Sequence, residues 1–190
     1  YKVTPETRIL FHAAAGGVGL IAGQWAKALG ATIIGTVGSD EKAALARENG
    51  YTHVVNYRTE NFVERVRDLT GGEGVDVVYD SVGRDTYPGS LDCLRPMGLW
   101  VSFGQASGPI EDFNLGVLAQ KGSLFATRPT LFSYVAKRAD LEETASELFD
   151  MVANGHVRIP INQTYPLSEA ARAHADLEGR RTTGATVFTV

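Results

Sequence analysis

A turn of small residues near the start of the chain has the composition of a phosphate-binding loop. The stretch from His12 to Gly19 reads HAAAGGVG, which matches G-x-G-x-x-G except that Ala14 stands at the first glycine position. Gly16 and Gly17 have no Cβ, so the backbone can approach a pyrophosphate, and Gly19 allows a helix to pack closely on the preceding strand. Free N–H groups at the start of that helix attract an anion. The pattern predicts a dinucleotide site; the alternative is a tight turn without a ligand.

A second group of residues concerns the choice between NADH and NADPH. NAD-specific sites place an acidic residue at the end of the second strand, but residues 35–39 read GTVGS. Asp40 comes later, and either Ser39 or Asp40 can cap the helix that follows. Lys42 lies in the first helical turn, where the helix dipole disfavours a cation unless an anion is near. Tyr57 and Arg58 follow the neighbouring third strand.

These side chains converge where the 2′-phosphate of NADPH would lie. The hydroxyl of Ser39, the ammonium of Lys42 and the phenol of Tyr57 form this group. A unit charge pair at about 4 Å is worth about 4 kcal/mol at an effective dielectric near 20, which is enough to select NADPH over NADH. The alternative is that Lys42 and Arg58 are solvated surface charges.

The elements that would position these residues alternate along the first two thirds of the chain. Apolar runs predict strands over residues 8–12, 31–37, 53–56, 75–80, 99–103 and 123–127. Helical spacing predicts helices over 18–29, 41–48, 60–69 and 87–94, with Thr59 capping the third. This alternation indicates an α/β fold: a Rossmann-type doubly wound parallel sheet of about six strands in the order 3-2-1-4-5-6.

The alternation ends near Pro129, and the rest of the chain has a different pattern. We predict helices over 140–152 and 167–177, and strands over 157–161 and 185–190 that have no partners in the first half. We therefore expect a nucleotide-binding domain at 1–135 and a C-terminal segment at 136–190 that belongs to a second domain. The chain starts at Tyr1 without a methionine, so we expect the other part of that domain to precede it.

Composition excludes several classes of function. The net charge of −4 over 190 residues argues against binding to nucleic acid or to an anionic membrane surface. No apolar run approaches the roughly 18 residues of a membrane span. One cysteine, Cys93, excludes a disulfide framework and a cysteine-rich metal site, and we expect a cytoplasmic protein without a metal. Four scattered histidines give no Ser-His-Asp arrangement, so no catalytic residue is assigned.

Stretches along nearly the whole chain carry a family resemblance; they are residues 13–19, 35–42, 55–58, 70–72, 78–83, 90–94, 102–104 and 122–124. With them the chain resembles the medium-chain dehydrogenase/reductase superfamily, and within it the zinc-free NADPH:quinone oxidoreductases, the zeta-crystallin-like branch. The resemblance implies direct hydride transfer from NADPH to a quinone. It also implies a GroES-like catalytic domain outside these residues and a homodimer formed through residues 122–127.

The resemblance also implies which residues contact the cofactor. The set is Gly16, Gly17, Val18, Gly38, Ser39, Lys42, Tyr57, Val82, Phe103, Gly104, Gln105, Ala106, Pro129, Thr130, Leu131 and Arg180. Gly17 and Val18 would contact the pyrophosphate, and Arg180 would reach back to the cofactor from the C-terminal segment. Two other functions stay open: reduction of enones or enoyl thioesters on the same scaffold, and binding of NADPH without turnover.

Overall fold

A six-stranded parallel sheet forms the centre of the molecule in a computed structural model that describes residues 1–190. The strands are β1 (Arg8–Phe11), β2 (Thr32–Val37), β3 (His53–Asn56), β4 (Val75–Asp80), β5 (Leu94–Ser102) and β6 (Phe125–Thr127). Their order is β3-β2-β1-β4-β5-β6, which confirms the predicted Rossmann-type order. The order reverses between β1 and β4, so a crevice opens there at the carboxyl ends of the strands.

Four helices cover the two faces of this sheet. They are α1 (Gly17–Ala28), α2 (Asp40–Glu48), α3 (Phe62–Leu69) and α4 (Tyr87–Asp92). Ile9 and Ile33 belong to the apolar core that includes residues of α1 and α2, whereas Leu10 and Ile34 belong to the core that includes residues of α3 and α4. Successive strand residues point to opposite faces, and both faces are buried, so the central strands are continuous apolar runs.

Two predicted element boundaries in the sheet half are wrong. Asn61, not Thr59, caps α3, because the Asn61 side chain accepts a hydrogen bond from the Val63 N–H at 3.0 Å. Thr59 lies in the preceding turn, where its hydroxyl donates to a backbone carbonyl. The fifth strand starts at Leu94 instead of residue 99, because Leu94 pairs with Val75 before the register shifts.

The C-terminal part adds helices and a separate small sheet. Its elements are α5 (Gly116–Gln120), α6 (Leu131–Tyr134), α7 (Arg138–Ala153), β7 (Ile161–Pro166), a 3₁₀ turn (Leu167–Glu169), α8 (Ala170–Glu178) and β8 (Ala185–Thr189). The strands β7 and β8 pair with each other in parallel, outside the main sheet. None of the helices is both long enough and apolar enough to cross a membrane.

The strand predicted over 157–161 does not form, although Val157 is fully buried. The Gln24 side chain of α1 satisfies the backbone of Arg158 instead. Its carbonyl accepts from the Arg158 N–H at 2.8 Å and its amide donates to the Arg158 carbonyl at 2.9 Å. This segment therefore packs against α1 through a side chain, and strand pairing starts only at Ile161.

Candidate cofactor site

The glycine turn joins β1 to α1 at the carboxyl edge of the sheet. Ala13 adopts a φ of 56°, and Gly16 occupies the N-cap position of α1 without any side-chain cap. As a result, the N–H groups of Gly17, Val18 and Gly19 have no backbone acceptor within the chain. Three unsatisfied donors and the positive end of a helix dipole form a site for an anion.

The structure explains how the turn tolerates Ala14. The methyl group of Ala14 is fully buried and faces β2 at Gly35, where an added Cβ would lie 2.6 Å from it. A glycine on the neighbouring strand thus makes room for the alanine on the turn. Gly19 has the predicted packing role, since a Cβ there would lie 2.5 Å from the Ala13 carbonyl oxygen.

The predicted 2′-phosphate residues come together beside this turn. Ser39 caps α2 by accepting a hydrogen bond from the Lys42 N–H at 3.3 Å. The Lys42 ammonium donates to the Arg180 carbonyl at 2.7 Å, and the Arg180 guanidinium lies 3.4 Å from the Tyr57 hydroxyl. Gly38 allows this approach, because a Cβ there would lie 2.5 Å from the same hydroxyl.

The cations of this cluster have no carboxylate partner. Lys42, Arg58 and Arg180 form no ion pair within the chain. Partial burial, together with the charges of Arg180 and Arg58, lowers the pKa of Lys42. Asp40 does not neutralise the cluster by an ion pair; its carboxylate accepts from the Asn56 side chain at 2.8 Å. An uncompensated positive potential of this kind attracts a phosphate.

The loops after β4 and β5 lie side by side at the other end of the crevice. The Val82 carbonyl accepts from both the N–H and the hydroxyl of Ser107, each at 2.8 Å. The Ala106 N–H donates to the Ser81 carbonyl at 3.1 Å. At Gly104 a Cβ would lie 2.5 Å from that same carbonyl oxygen, so only glycine allows this approach. The predicted residues Val82, Gly104 and Ala106 therefore form one wall.

An apolar cleft of about 890 Å³ opens beside this wall. The cleft is lined by Val18 from the glycine turn, by Phe103 after β5, and by Pro129 and Leu131 after β6. Residues from these three segments therefore face the same cleft. Five residues predicted around the nicotinamide half do not line this cleft: Val82, Gly104, Gln105, Ala106 and Thr130. Gln105 lines a separate cavity of about 350 Å³. The Thr130 hydroxyl lies 3.0 Å from that of Ser133, within hydrogen-bonding distance.

One contact of the site is absent from the sequence analysis. Gly184 lies across the glycine turn, where its N–H donates to the Ala15 carbonyl at 3.0 Å and it forms an isolated parallel bridge with Gly16. A Cβ at Gly17 would lie 3.3 Å from the Gly184 carbonyl. The contact joins two backbones far apart in sequence, so no side-chain pattern indicates it.

The residues of this chain do not fit a metal site. No group of three or more His, Cys, Asp or Glu side chains could hold a metal ion. Burial raises the pKa of the Cys93 thiol to about 12, so this side chain stays a neutral thiol at pH 7. Zinc binds the thiolate form of cysteine, so the neutral Cys93 thiol does not suit a zinc ligand.

Comparison with known proteins identifies the family of this chain. The family model described as zinc-binding dehydrogenase matches residues 17–152. The quinone oxidoreductase of Salmonella typhimurium is 57% identical over 190 residues, which cover 99% of this chain and 58% of that protein. The 2-haloacrylate reductase of a Burkholderia species is 49% identical over 192 residues, covering 99% of this chain and 57% of that protein.

A solved structure has the same fold. The Escherichia coli quinone oxidoreductase complexed with NADPH superimposes with a TM-score of 0.97 at 53% identity, over 100% of this chain and 59% of that chain. The chain thus spans a little under three fifths of the length of these relatives. It belongs to the zinc-binding dehydrogenase family, in the quinone oxidoreductase branch of the medium-chain dehydrogenase/reductase superfamily.

Proposed function

We propose that this chain is the NADPH-binding part of a quinone oxidoreductase that transfers hydride directly from NADPH to a quinone without zinc. The observation that carries the proposal is the cluster of Lys42, Arg58 and Arg180, which has no carboxylate partner and lies beside the unsatisfied N–H groups of the glycine turn. The relatives named quinone oxidoreductase, one of them complexed with NADPH, support it.

The residues of the chain divide between the parts of the cofactor. The glycine turn at Gly16, Gly17 and Val18 would hold the pyrophosphate. The 2′-phosphate would lie among Gly38, Ser39, Lys42, Tyr57 and Arg180. Val82, the segment 103–106 and the segment 129–131 would hold the nicotinamide half.

When bound, NADPH supplies the hydride. The chain's own residues would orient the reacting ring against an apolar surface, since Val18, Phe103 and Leu131 line the cleft. The titratable side chains that line this cleft are the phenols of Tyr1, Tyr79 and Tyr134, with no carboxylate or imidazole among them, and we assign no catalytic acid or base. The contribution of the protein would then be to position NADPH and the quinone relative to each other.

A second candidate is the reduction of a carbon–carbon double bond conjugated to a carbonyl group. The 49% identity to a 2-haloacrylate reductase favours it. The cofactor half would be the same in both cases, because the 2′-phosphate cluster does not contact the substrate. The two candidates differ in the substrate side of the cleft, to which residues beyond this chain would contribute.

We also propose an assembly and a location. Residues 1–135 would form the nucleotide-binding domain, and 136–190 would belong with a GroES-like catalytic domain. The strand β6 is at one edge of the sheet with Phe125 62% exposed, so we propose that it pairs with β6 of a second copy. The single buried cysteine is compatible with a reducing compartment, and we propose the cytoplasm.

The test is a calorimetric titration of the full-length protein with NADPH and with NADH, repeated on Lys42→Ala. Lys42 is partly exposed, so we discount its Coulomb energy to about 1–2 kcal/mol, which is roughly a five- to thirtyfold loss of NADPH affinity. Lys27→Ala, at the end of α1, is the matched control and should change neither affinity.

Equal binding of NADH and NADPH by the unmodified protein would contradict the proposed 2′-phosphate site. Steady-state turnover then separates the two candidates. A quinone reductase reduces a quinone well above its rate with a 2-haloacrylate, and the second candidate predicts the reverse.

A further inference from the structure

A chain of buried polar side chains runs beneath the carboxyl edge of the sheet. It connects Thr36 on β2, His12 after β1, Ser90 on α4 and Asp80 at the end of β4, and all four residues are at most 2% exposed. His12 Nδ1 lies 2.8 Å from the Thr36 hydroxyl and His12 Nε2 lies 3.0 Å from the Ser90 hydroxyl. The Ser90 hydroxyl lies 2.8 Å from Asp80 Oδ2.

The hydrogen bonds of this chain have one consistent direction. An ionised carboxylate only accepts, so the Ser90 hydroxyl must donate to Asp80. The Ser90 oxygen is then free to accept from an N–H at His12 Nε2. In a neutral ring the other nitrogen accepts, so the Thr36 hydroxyl donates to Nδ1. Burial lowers the pKa of His12, partly offset by Asp80, and so keeps the ring neutral.

Asp80 connects these buried side chains to the loop that follows β4. Its Oδ1 accepts from the Val82 N–H at 2.9 Å and from the Gly83 N–H at 3.1 Å. The hydroxyl of Thr86 donates to the same carboxylate at 2.9 Å. On its other side, Val82 is held through its carbonyl by Ser107. The orientation of one buried carboxylate therefore sets the position of the Val82 turn.

We propose that His12 and Ser90 are positioning residues that act through Asp80. They fix the Val82–Gly83 turn, against which the nicotinamide ribose of NADPH would lie, and this inference rests on the function proposed above. Apolar side chains could fill this part of the core without any requirement for partners. A buried network in which every group is satisfied specifies a single arrangement instead, and this one ends at the crevice where the strand order reverses.

The test compares two ligands on variants of the full-length protein. NADPH would reach the Val82 turn, whereas adenosine 2′,5′-bisphosphate carries the 2′-phosphate without a nicotinamide ribose. We expect Ser90→Ala and His12→Leu to lower NADPH affinity about tenfold, the cost of about one buried hydrogen bond, and to leave the bisphosphate affinity unchanged. His12→Gln retains a side-chain N–H donor toward Ser90 and should recover most of the loss.

Thr70→Val is the matched control. The Thr70 hydroxyl is also buried, but it bonds the Val66 carbonyl and the Gly74 N–H at the opposite edge of the sheet. Its loss should lower stability without separating the two ligands. An equal loss for both ligands in Ser90→Ala, or equal behaviour of His12→Leu and His12→Gln, would reduce the network to a structural role.

Two further outcomes are also decisive. If His12→Leu does not fold, Ser90→Ala removes a single oxygen and still gives the answer. An unmodified protein that binds neither ligand would overturn the proposed function itself, which is a different result from a variant that fails to separate the ligands.

Discussion

Gly19→Ala sets two effects of opposite sign against each other. Gly19 lies inside α1, where alanine is preferred over glycine by about 1 kcal/mol. The added Cβ would lie 2.5 Å from the Ala13 carbonyl oxygen and 2.6 Å from that of Ala14, against 3.4 Å or more in ordinary contact. Both oxygens are backbone atoms and cannot rotate away, so we place the cost near the upper end of about 1–3 kcal/mol for overpacking. The expected net loss of stability is about 2 kcal/mol.

Urea unfolding measures this loss, with Gly155→Ala as the matched control. Gly155 has a φ of +74° and no atom within 4 Å of an added Cβ, so it tests backbone strain alone, at about 1–2 kcal/mol. NADPH binding separates the two variants further. Gly19→Ala displaces the N–H groups at the start of α1 and should abolish binding, whereas Gly155→Ala should not affect it. A Gly19→Ala protein as stable as the unmodified one would refute the close contact.

Three other predictions concern separate parts of the molecule. Arg180→Gly should lower NADPH affinity about fivefold and leave NADH affinity unchanged, since glycine keeps the backbone φ of 58° while the guanidinium is lost. Burial holds the pKa of His12 below the ordinary 6.5, so the free energy of unfolding should fall as the pH drops below about 6.5, and less steeply in His12→Gln, by urea unfolding at several pH values. Phe125→Lys should convert the proposed dimer to a monomer by light scattering, whereas Leu177→Lys, equally exposed on α8, should not.

The sheet was predictable because its signals are local. The strands are short apolar runs, and turn-forming residues separate them from helices of regular spacing, so the order of the six strands follows from the alternation. The convergence of Ser39, Lys42 and Tyr57 was predictable for a related reason, whereas Arg180 was expected there only from the family resemblance. Ser39 and Tyr57 follow neighbouring parallel strands, and the carboxyl ends of such strands meet at one edge.

The features that the sequence analysis missed depend on contacts between distant parts of the chain. Pro96 and Gly98 are typical of a turn, yet they lie inside β5, because Leu94 pairs with Val75 before the register shifts. Arg158 needs no strand partner because Gln24 supplies both of its backbone hydrogen bonds. Neither contact leaves a periodic pattern in the residues around it.

Residues on the C-terminal side of the proposed domain boundary at residue 135 contribute to the proposed cofactor site. The main sheet and the small sheet are separate, but the segment from Arg180 to Gly184 contacts both of the proposed phosphate sites. Arg180 accepts from Lys42 at the 2′-phosphate cluster, and Gly184 donates to Ala15 at the glycine turn. A boundary at residue 135 therefore leaves part of the proposed cofactor site on its far side, so the two parts are linked through the groups that would hold the phosphates.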